Sequence, residues 1–192
     1  PFIRTMLLDE ETAVVPDGIS VVKAMNLLGY PAKERITGVD LAEKLLRLAG
    51  EKGKSVYLLG AKEEVVSALA EKLVAQYPKM EVRYKNGYGK DKDADFREIE
   101  ALQPDLTLVA LGVPAQEKLI ARHLENFQKG VFIGVGGSFD VLSGSKRRAP
   151  ALFVKTNTEW LYRIVREPSR LGRFYRNNVK FLGAVRREAK KG

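Results

Sequence analysis

Asp17 stands between Pro16 and Gly18 at the end of a β-branched run, Thr12-Ala13-Val14-Val15. A carboxylate held there is kept off a helix face and can be aimed into a cleft as a general base. The alternative is a turn aspartate that accepts from nearby backbone amides. Gly134-Val135-Gly136-Gly137-Ser138-Phe139-Asp140 has the glycines that let a backbone approach a diphosphate, with amides and a following helix N-terminus as donors. The same cluster also suits a tight turn. It lacks the G-x-G-x-x-G spacing, and no acid follows at the distance a dinucleotide ribose requires.

Gln116 and Glu117 open a helix directly after an apolar strand. The Gln amide suits sugar hydroxyls, and the Glu carboxylate complements the helix dipole. Thr37 leads a capping-type sequence, Thr37-Gly38-Val39-Asp40, and Arg35 just before it is either a surface cation or a diphosphate ligand. His123, beside Ile120 and Leu124, reads as a half-buried histidine of the core. Arg163, Arg166, Arg170 and Arg173 follow the spacing i, i+3, i+7, i+10. They line one side of a helical path if the break at Pro168 does not rotate it, and a solvated basic face is the alternative to a phosphate-binding one.

The elements that carry these residues alternate. Ser55–Gly60, 80–84, 105–111 and Gly130-Val131-Phe132-Ile133-Gly134 read as strands, and Glu11–Ser20 as a further strand entering a loop. Helical spacing marks 20–29, the stretch after Thr37, 65–73, the segment around Phe96 and 115–127. This order predicts an α/β fold, a doubly wound, Rossmann-like, mostly parallel sheet flanked by helices. Ligands of such sheets sit beyond the strands' carboxyl ends, where Asp17, Gln116 and Gly134–Asp140 fall. After Pro150 every periodic segment is helical, so the predicted parts are a core over 1–145 and a helical cationic appendage over 146–192.

Composition sets the bounds. The chain has 192 residues, no cysteine and one histidine, and carries a net charge of +9. That excludes a disulfide framework, a thiolate nucleophile and a Cys-ligated metal, and leaves little for a His-based metal centre or a Ser-His-Asp triad. No apolar run reaches the roughly 18 to 20 residues of a spanning helix. From Lys146 onward 14 Lys or Arg face three acids, interleaved with Trp160, Phe174, Tyr175, Phe181 and Leu182. The target of such a segment is anionic: nucleic acid, a phosphate-bearing substrate or an acidic membrane face. Asp91-Lys92-Asp93 and Asp93-Ala94-Asp95 read as capping and solvation rather than a metal site.

Taken in order, Val15-Pro16-Asp17-Gly18-Ile19, Glu34-Arg35-Ile36-Thr37-Gly38-Val39-Asp40, Leu111-Gly112-Val113-Pro114-Ala115-Gln116-Glu117, Gly134–Asp140, Arg148-Ala149-Pro150, Asn157-Thr158-Glu159-Trp160 and Arg166–Leu171 resemble the WecG/TagA/CpsF glycosyltransferase family through essentially the whole chain. The resemblance implies an inverting transferase that needs no metal and no cofactor. It would move N-acetylmannosamine from its UDP donor to the 4-hydroxyl of N-acetylglucosamine on diphospho-undecaprenol, as in the wall teichoic acid linkage unit. A related transferase using the uronic acid donor is the alternative within the family. Asp17 matches the catalytic base. Arg35, Thr37 and Gln116 match positions of the donor and acceptor pocket, Gly136 and Gly137 the nucleotide-side loop, and Arg163, Arg166, Arg170 and Arg173 an appendage that closes over the diphosphate. The implied partners are a UDP-sugar, a polyprenyl-diphosphate acceptor and an anionic membrane surface, with no nucleic acid. The implied place is the cytoplasmic face of the plasma membrane, with a homo-oligomer as a further expectation. The family carries about one more βαβ unit, with a Thr-Pro-Asn motif, before Pro-Asp-Gly, and this chain starts after it. Outside the family, a nucleic-acid-binding α/β protein would use the basic tail, and a nucleotide-dependent oxidoreductase the sheet.

Overall fold

The computed structural model describes residues 9–190, with the side chains of Arg170, Arg173, Asn177 and Val179 outside that description. Its contacts divide the chain into two compact units, Gly38–Arg148 and Pro1–Thr37 with Ala149–Gly192.

The Gly38–Arg148 unit holds a four-stranded sheet of β1 (Ser55–Gly60), β2 (Glu81–Lys85), β3 (Leu106–Ala110) and β4 (Val131–Gly134), ordered β2-β1-β3-β4 and parallel throughout. Side chains alternate across a pleated strand, so each strand feeds two layers. Val56, Leu58, Leu106 and Leu108 point to one side, where they pack with Ala42 and Leu46 of α2 (Gly38–Glu51), Val66 and Leu69 of α3 (Glu63–Gln76) and Phe139 of α6 (Ser138–Leu142). Tyr57, Leu59 and Val109 point to the other, with Phe96 and Ile99 of α4 (Lys92–Leu102) and Leu119 of α5 (Ala115–His123). A 3-10 turn, Leu124–Asn126, ends the α5 segment. This double cover buries residues 56–60 of β1 throughout, and it accounts for the apolar run read at 105–111.

One hydrogen-bonded tie and one close backbone approach link β1 to β3. At the strand starts, Asp105 Oδ2 accepts from the Ser55 backbone N–H at 3.0 Å and from its hydroxyl at 2.9 Å, while Asp105 N donates to Ser55 Oγ at 3.0 Å. At the carboxyl ends Gly60 has φ +127°, and a Cβ there would fall on the Ala110 carbonyl, so only glycine fits between β1 and β3.

In the other unit, α1 (Ile19–Leu27) packs against α9 (Arg170–Glu188), and α7 (Ala151–Lys155) and α8 (Glu159–Arg166) lie between them in sequence. Residues 12–17 are irregular rather than the expected strand. Within the described residues no strand pairs with Val14 or Val15, which stay exposed. β-branching alone does not hold a lone strand in water. The tail also departs from the single helical path. Trp160 and Phe174 would stand about 21 Å apart along one continuous helix. Their ring centroids are 4.6 Å apart, because the chain turns at Glu167-Pro168-Ser169. The spacing of Arg163 and Arg166 therefore does not run on into Arg170 and Arg173.

Among the described residues no helix is long and apolar enough to cross a membrane.

Candidate functional site

The chain runs from β1 out to β2 and then returns to lay β3 and β4 on the opposite side. The direction of crossover reverses between β1 and β3, which is where an open α/β sheet leaves its binding crevice. The segments beyond these strand ends are tied to one another. Ala61 N donates to Ala110 O at 3.2 Å, and Gly87 N donates to Ala61 O at 2.7 Å. Both bonds hold Ala61 at φ +57°, a conformation an alanine adopts only when its surroundings demand it. The Asn86-Gly87-Tyr88 loop, a flexible loop by composition, is fixed by these contacts and by Asn86 Nδ2 donating to Glu63 Oε2 at 2.7 Å.

Gln116 organises the next two loops. It is 2% exposed. Its Oε1 accepts from the backbone N–H groups of Gly112 and Gly136, each at 3.1 Å, and its Nε2 donates to Glu117 Oε1 at 2.8 Å. Gly134 leaves the room for this: a Cβ there would lie 2.5 Å from Gln116 Nε2. Gly136, at φ +50°, thus turns its amide to Gln116, while Gly137 is exposed at the start of the five-residue α6. Sequence reasoning placed Gln116 correctly at the strand end but not the partner role of Glu117, whose signal was the adjacent acceptor beside an amide donor. Asp40 and Arg148, each inside a quoted motif, form a two-point pair at 2.6 and 2.9 Å between the start of α2 and the end of this unit.

In the other unit, Asp17 is exposed in the irregular segment just before α1. The Ile36 N–H donates to the Pro16 carbonyl at 3.0 Å, which brings the Pro16-Asp17 and Arg35-Ile36 segments side by side. Arg35 is no surface cation. Its side chain is 9% exposed and paired with Glu159, itself 7% exposed at the first position of α8. Thr37 is buried directly before α2. Arg163 and Arg166 are exposed, with the Arg166 guanidinium 5.6 Å from the Tyr162 ring. Arg170 and Arg173 lie on α9, and their side chains are outside the described residues.

The acids near 93 are partnered. Asp91 Oδ1 caps α4 by accepting from Ala94 N at 2.8 Å, as expected. Asp93 meets His123 Nε2 at 2.8 Å and Arg122 at 2.7 Å, and hydrogen bonds from the His123 ring and then the Arg122 guanidinium hold its carboxyl below the usual range. Asp95 is buried between Lys85 and Lys92, each at 3.1 Å, which is more than the solvation expected of it. His123 is 8% exposed, stacks on Phe96, and has Glu100 at its other nitrogen, a fuller set of polar partners than a half-buried core histidine needs. Among the described residues no three His, Asp or Glu side chains form a group able to share a metal ion.

A four-stranded parallel sheet whose strand-end loops are held by a buried Gln places the protein in the open α/β class. The chain belongs to the glycosyl transferase WecG/TagA/CpsF family, whose model matches residues 4–192. It is 39% identical over 165 residues to the N-acetylglucosaminyldiphosphoundecaprenol N-acetyl-beta-D-mannosaminyltransferase of Bacillus subtilis strain 168, covering 85% of this chain and 64% of that one. To the protein of the same name in Bacillus spizizenii it is 39% identical, covering 93% of this chain and 70% of that one. To that of Staphylococcus aureus strain MW2 it is 38% identical, covering 87% and 66%. The chain thus spans about two thirds of the length of these relatives.

Proposed function

We propose that the protein transfers N-acetylmannosamine from UDP-N-acetylmannosamine to the N-acetylglucosamine of a diphospho-undecaprenol acceptor, releasing UDP. The observation that carries this reading is the 39% identity over 93% of the chain to a transferase whose name states that sugar and acceptor.

In the proposed reaction the acceptor's 4-hydroxyl oxygen attacks the anomeric carbon of the donor sugar. Asp17 takes the hydroxyl proton, the bond from that carbon to the UDP oxygen breaks, and UDP leaves with the electron pair, inverting the centre. A carboxylate outside any helix or strand, before a glycine, is free of ladder geometry and suits proton acceptance. Gln116, with Gly136 and Gly137, shapes the loops that receive the nucleotide. Arg35 and Thr37 are proposed for the donor and acceptor pocket, with Glu159 as the buried counter-charge of Arg35. Arg163, Arg166, Arg170 and Arg173 neutralise diphosphate charge, the part arginine forks perform well.

The residues 146–192 are proposed as the membrane-facing part, acting at the inner face of the plasma membrane. Support comes from exposed Trp160, Leu171, Tyr175, Phe181 and Leu182 among the cations of α8 and α9. Apolar and basic side chains on the same helices suit an anionic interface. The 1–145 part is proposed to carry the chemistry, and a homo-oligomer is compatible with it.

Thermal unfolding of the full-length protein with UDP, NAD or a short DNA duplex tests the class. UDP alone should raise the transition temperature. Stabilisation by NAD or duplex instead would contradict the proposal.

A further inference from the structure

We infer that Glu117 is a positioning residue: its carboxylate fixes the side-chain amide of Gln116, and through it the backbone amides of Gly112 and Gly136 that bound the loops after β3 and β4. Only the claim that these loops receive a nucleotide rests on the transferase reading.

A Gln side chain offers one acceptor oxygen and one NH2 donor group, and rotating it by half a turn exchanges them. In Gln116 the oxygen receives two backbone N–H groups on one side. On the other, Nε2 faces Glu117 Oε1 at 2.8 Å. A carboxylate is an acceptor alone, so the reversed amide would set oxygen against oxygen at Glu117 and NH2 against two N–H donors at the glycines. Three contacts then turn from attractive to repulsive. The third side of the amide is set by the missing side chain of Gly134. Only with all three in place does one buried side chain hold the ends of two adjacent strands' loops.

The second carboxylate oxygen is the observation that a helix-dipole role does not explain. Glu117 Oε2 is buried and has no hydrogen-bond partner. A carboxylate that only complements the first turn of α5 keeps its oxygens in water, whereas a buried unsatisfied acceptor costs about 1 to 3 kcal/mol. Glu117 accepts that cost at a position where its first oxygen orients Gln116. Its value is therefore in the geometry it imposes on Gly112 and Gly136, which lie at the carboxyl ends of β3 and β4.

The test uses the full-length protein with 15N labels, UDP as the probe, and three variants. Glu117→Met keeps the packing and removes the acceptor. It should shift the Gly112 and Gly136 amide resonances and speed their hydrogen exchange, and raise the UDP Kd about tenfold, a change near 1.4 kcal/mol. In turnover it should raise KM for the UDP-sugar more than it lowers kcat. Glu117→Gln presents an oxygen to Gln116 without charge, and should recover both amides and bring the UDP Kd to within about threefold of wild type. Glu117→Asp retracts the oxygen, should move the same two amides, and serves if the Met variant does not fold. Unmoved Gly112 and Gly136 amides in the Met and Asp variants would overturn the inference, and so would a Gln variant as impaired as the Met one, since charge alone would then be the cause. Absence of UDP binding by the wild type would instead count against the transferase reading, and the two amides would still decide this one.

Discussion

Arg35 and Glu159, 124 residues apart in the chain, form an ion pair in which both side chains are at least nine-tenths buried. Such a pair adds little net stability, because taking two charges out of water offsets their attraction. Removing one partner is another matter. Arg35→Ala should destabilise the unit containing residues 1–37 by on the order of 3 kcal/mol, since it breaks one side of a buried ion pair. Arg35→Met with Glu159→Leu should recover much of that loss. Denaturant unfolding followed at Trp160 measures both. Equal stability of Arg35→Ala and wild type would contradict the burial of this pair.

The same pair shows where the sequence stops being readable. The apolar runs in Ser55–Gly60 and 105–111 named β1 and β3, because a strand covered on both faces has few polar positions to blur it, while the exposed edge strand β2 was read from the short run 80–84. The strand expected over Glu11–Ser20 failed for a tertiary reason. Its Val14 and Val15 have no neighbouring strand among the described residues, and Pro16 accepts a backbone hydrogen bond from Ile36. Arg35 was readable as a functional cation but not as a buried one, since its partner is fixed only once α8 is in place. Gln116 was readable from its position after β3. Its clamp was not, because Gly136 reaches it only through the pairing of β4 with β3.

The β1 and β3 starts make the fold acid-sensitive in a defined way. The Ser55 backbone N–H and hydroxyl, aided by Lys129 and Lys54, hold the Asp105 carboxyl down at about 2 against burial, which pushes it up. A depressed carboxylate stabilises the fold at pH values above its unfolded pKa, and that contribution fades as pH falls from about 4 toward 2. Asp105→Asn should therefore lose on the order of 2 kcal/mol at pH 7 and show a smaller deficit near pH 2. A deficit independent of pH would place the loss in packing rather than charge.

The stack of Trp160 on Phe174, planes 6° from parallel, holds the turn at Pro168. Trp160→Ala should remove about 1 kcal/mol of local stability, since an aromatic pair contributes roughly that beyond its buried area. Hydrogen exchange should quicken in α8 and the first turns of α9 and stay unchanged in β1 and β3. Uniform quickening across the chain would contradict a local role.

Arg163 and Arg166 are exposed, so charge can be removed from α8 without unpacking it. Arg163→Gln with Arg166→Gln should weaken sedimentation with phosphatidylglycerol vesicles by about 2 kcal/mol, near 1 kcal/mol for each cation at an anionic surface. Salt should weaken the wild type in the same direction. Binding that ignores both charge and salt would show α8 to be merely a solvated basic face.

Exhaustive chelation should leave transfer intact, because the proposed neutralisation of the departing diphosphate falls to arginines, and Asp91, Asp93 and Asp95 are already engaged by Ala94, Arg122 with His123, and Lys85 with Lys92. Activity lost in EDTA and restored by magnesium or manganese would contradict this.

The most direct measurement is transfer of labelled N-acetylmannosamine from its UDP donor to a lipid-linked N-acetylglucosamine diphosphate, by full-length wild type and Asp17→Asn. Asparagine keeps the side chain's shape next to Gly18 but accepts no proton. The account predicts product from the wild type, and in the variant a kcat lower by on the order of 100 to 10,000-fold. UDP affinity and unfolding temperature should be unchanged in that variant. Wild-type turnover in Asp17→Asn would contradict the assignment of the base, and no transfer by the wild-type protein would contradict the proposed reaction itself.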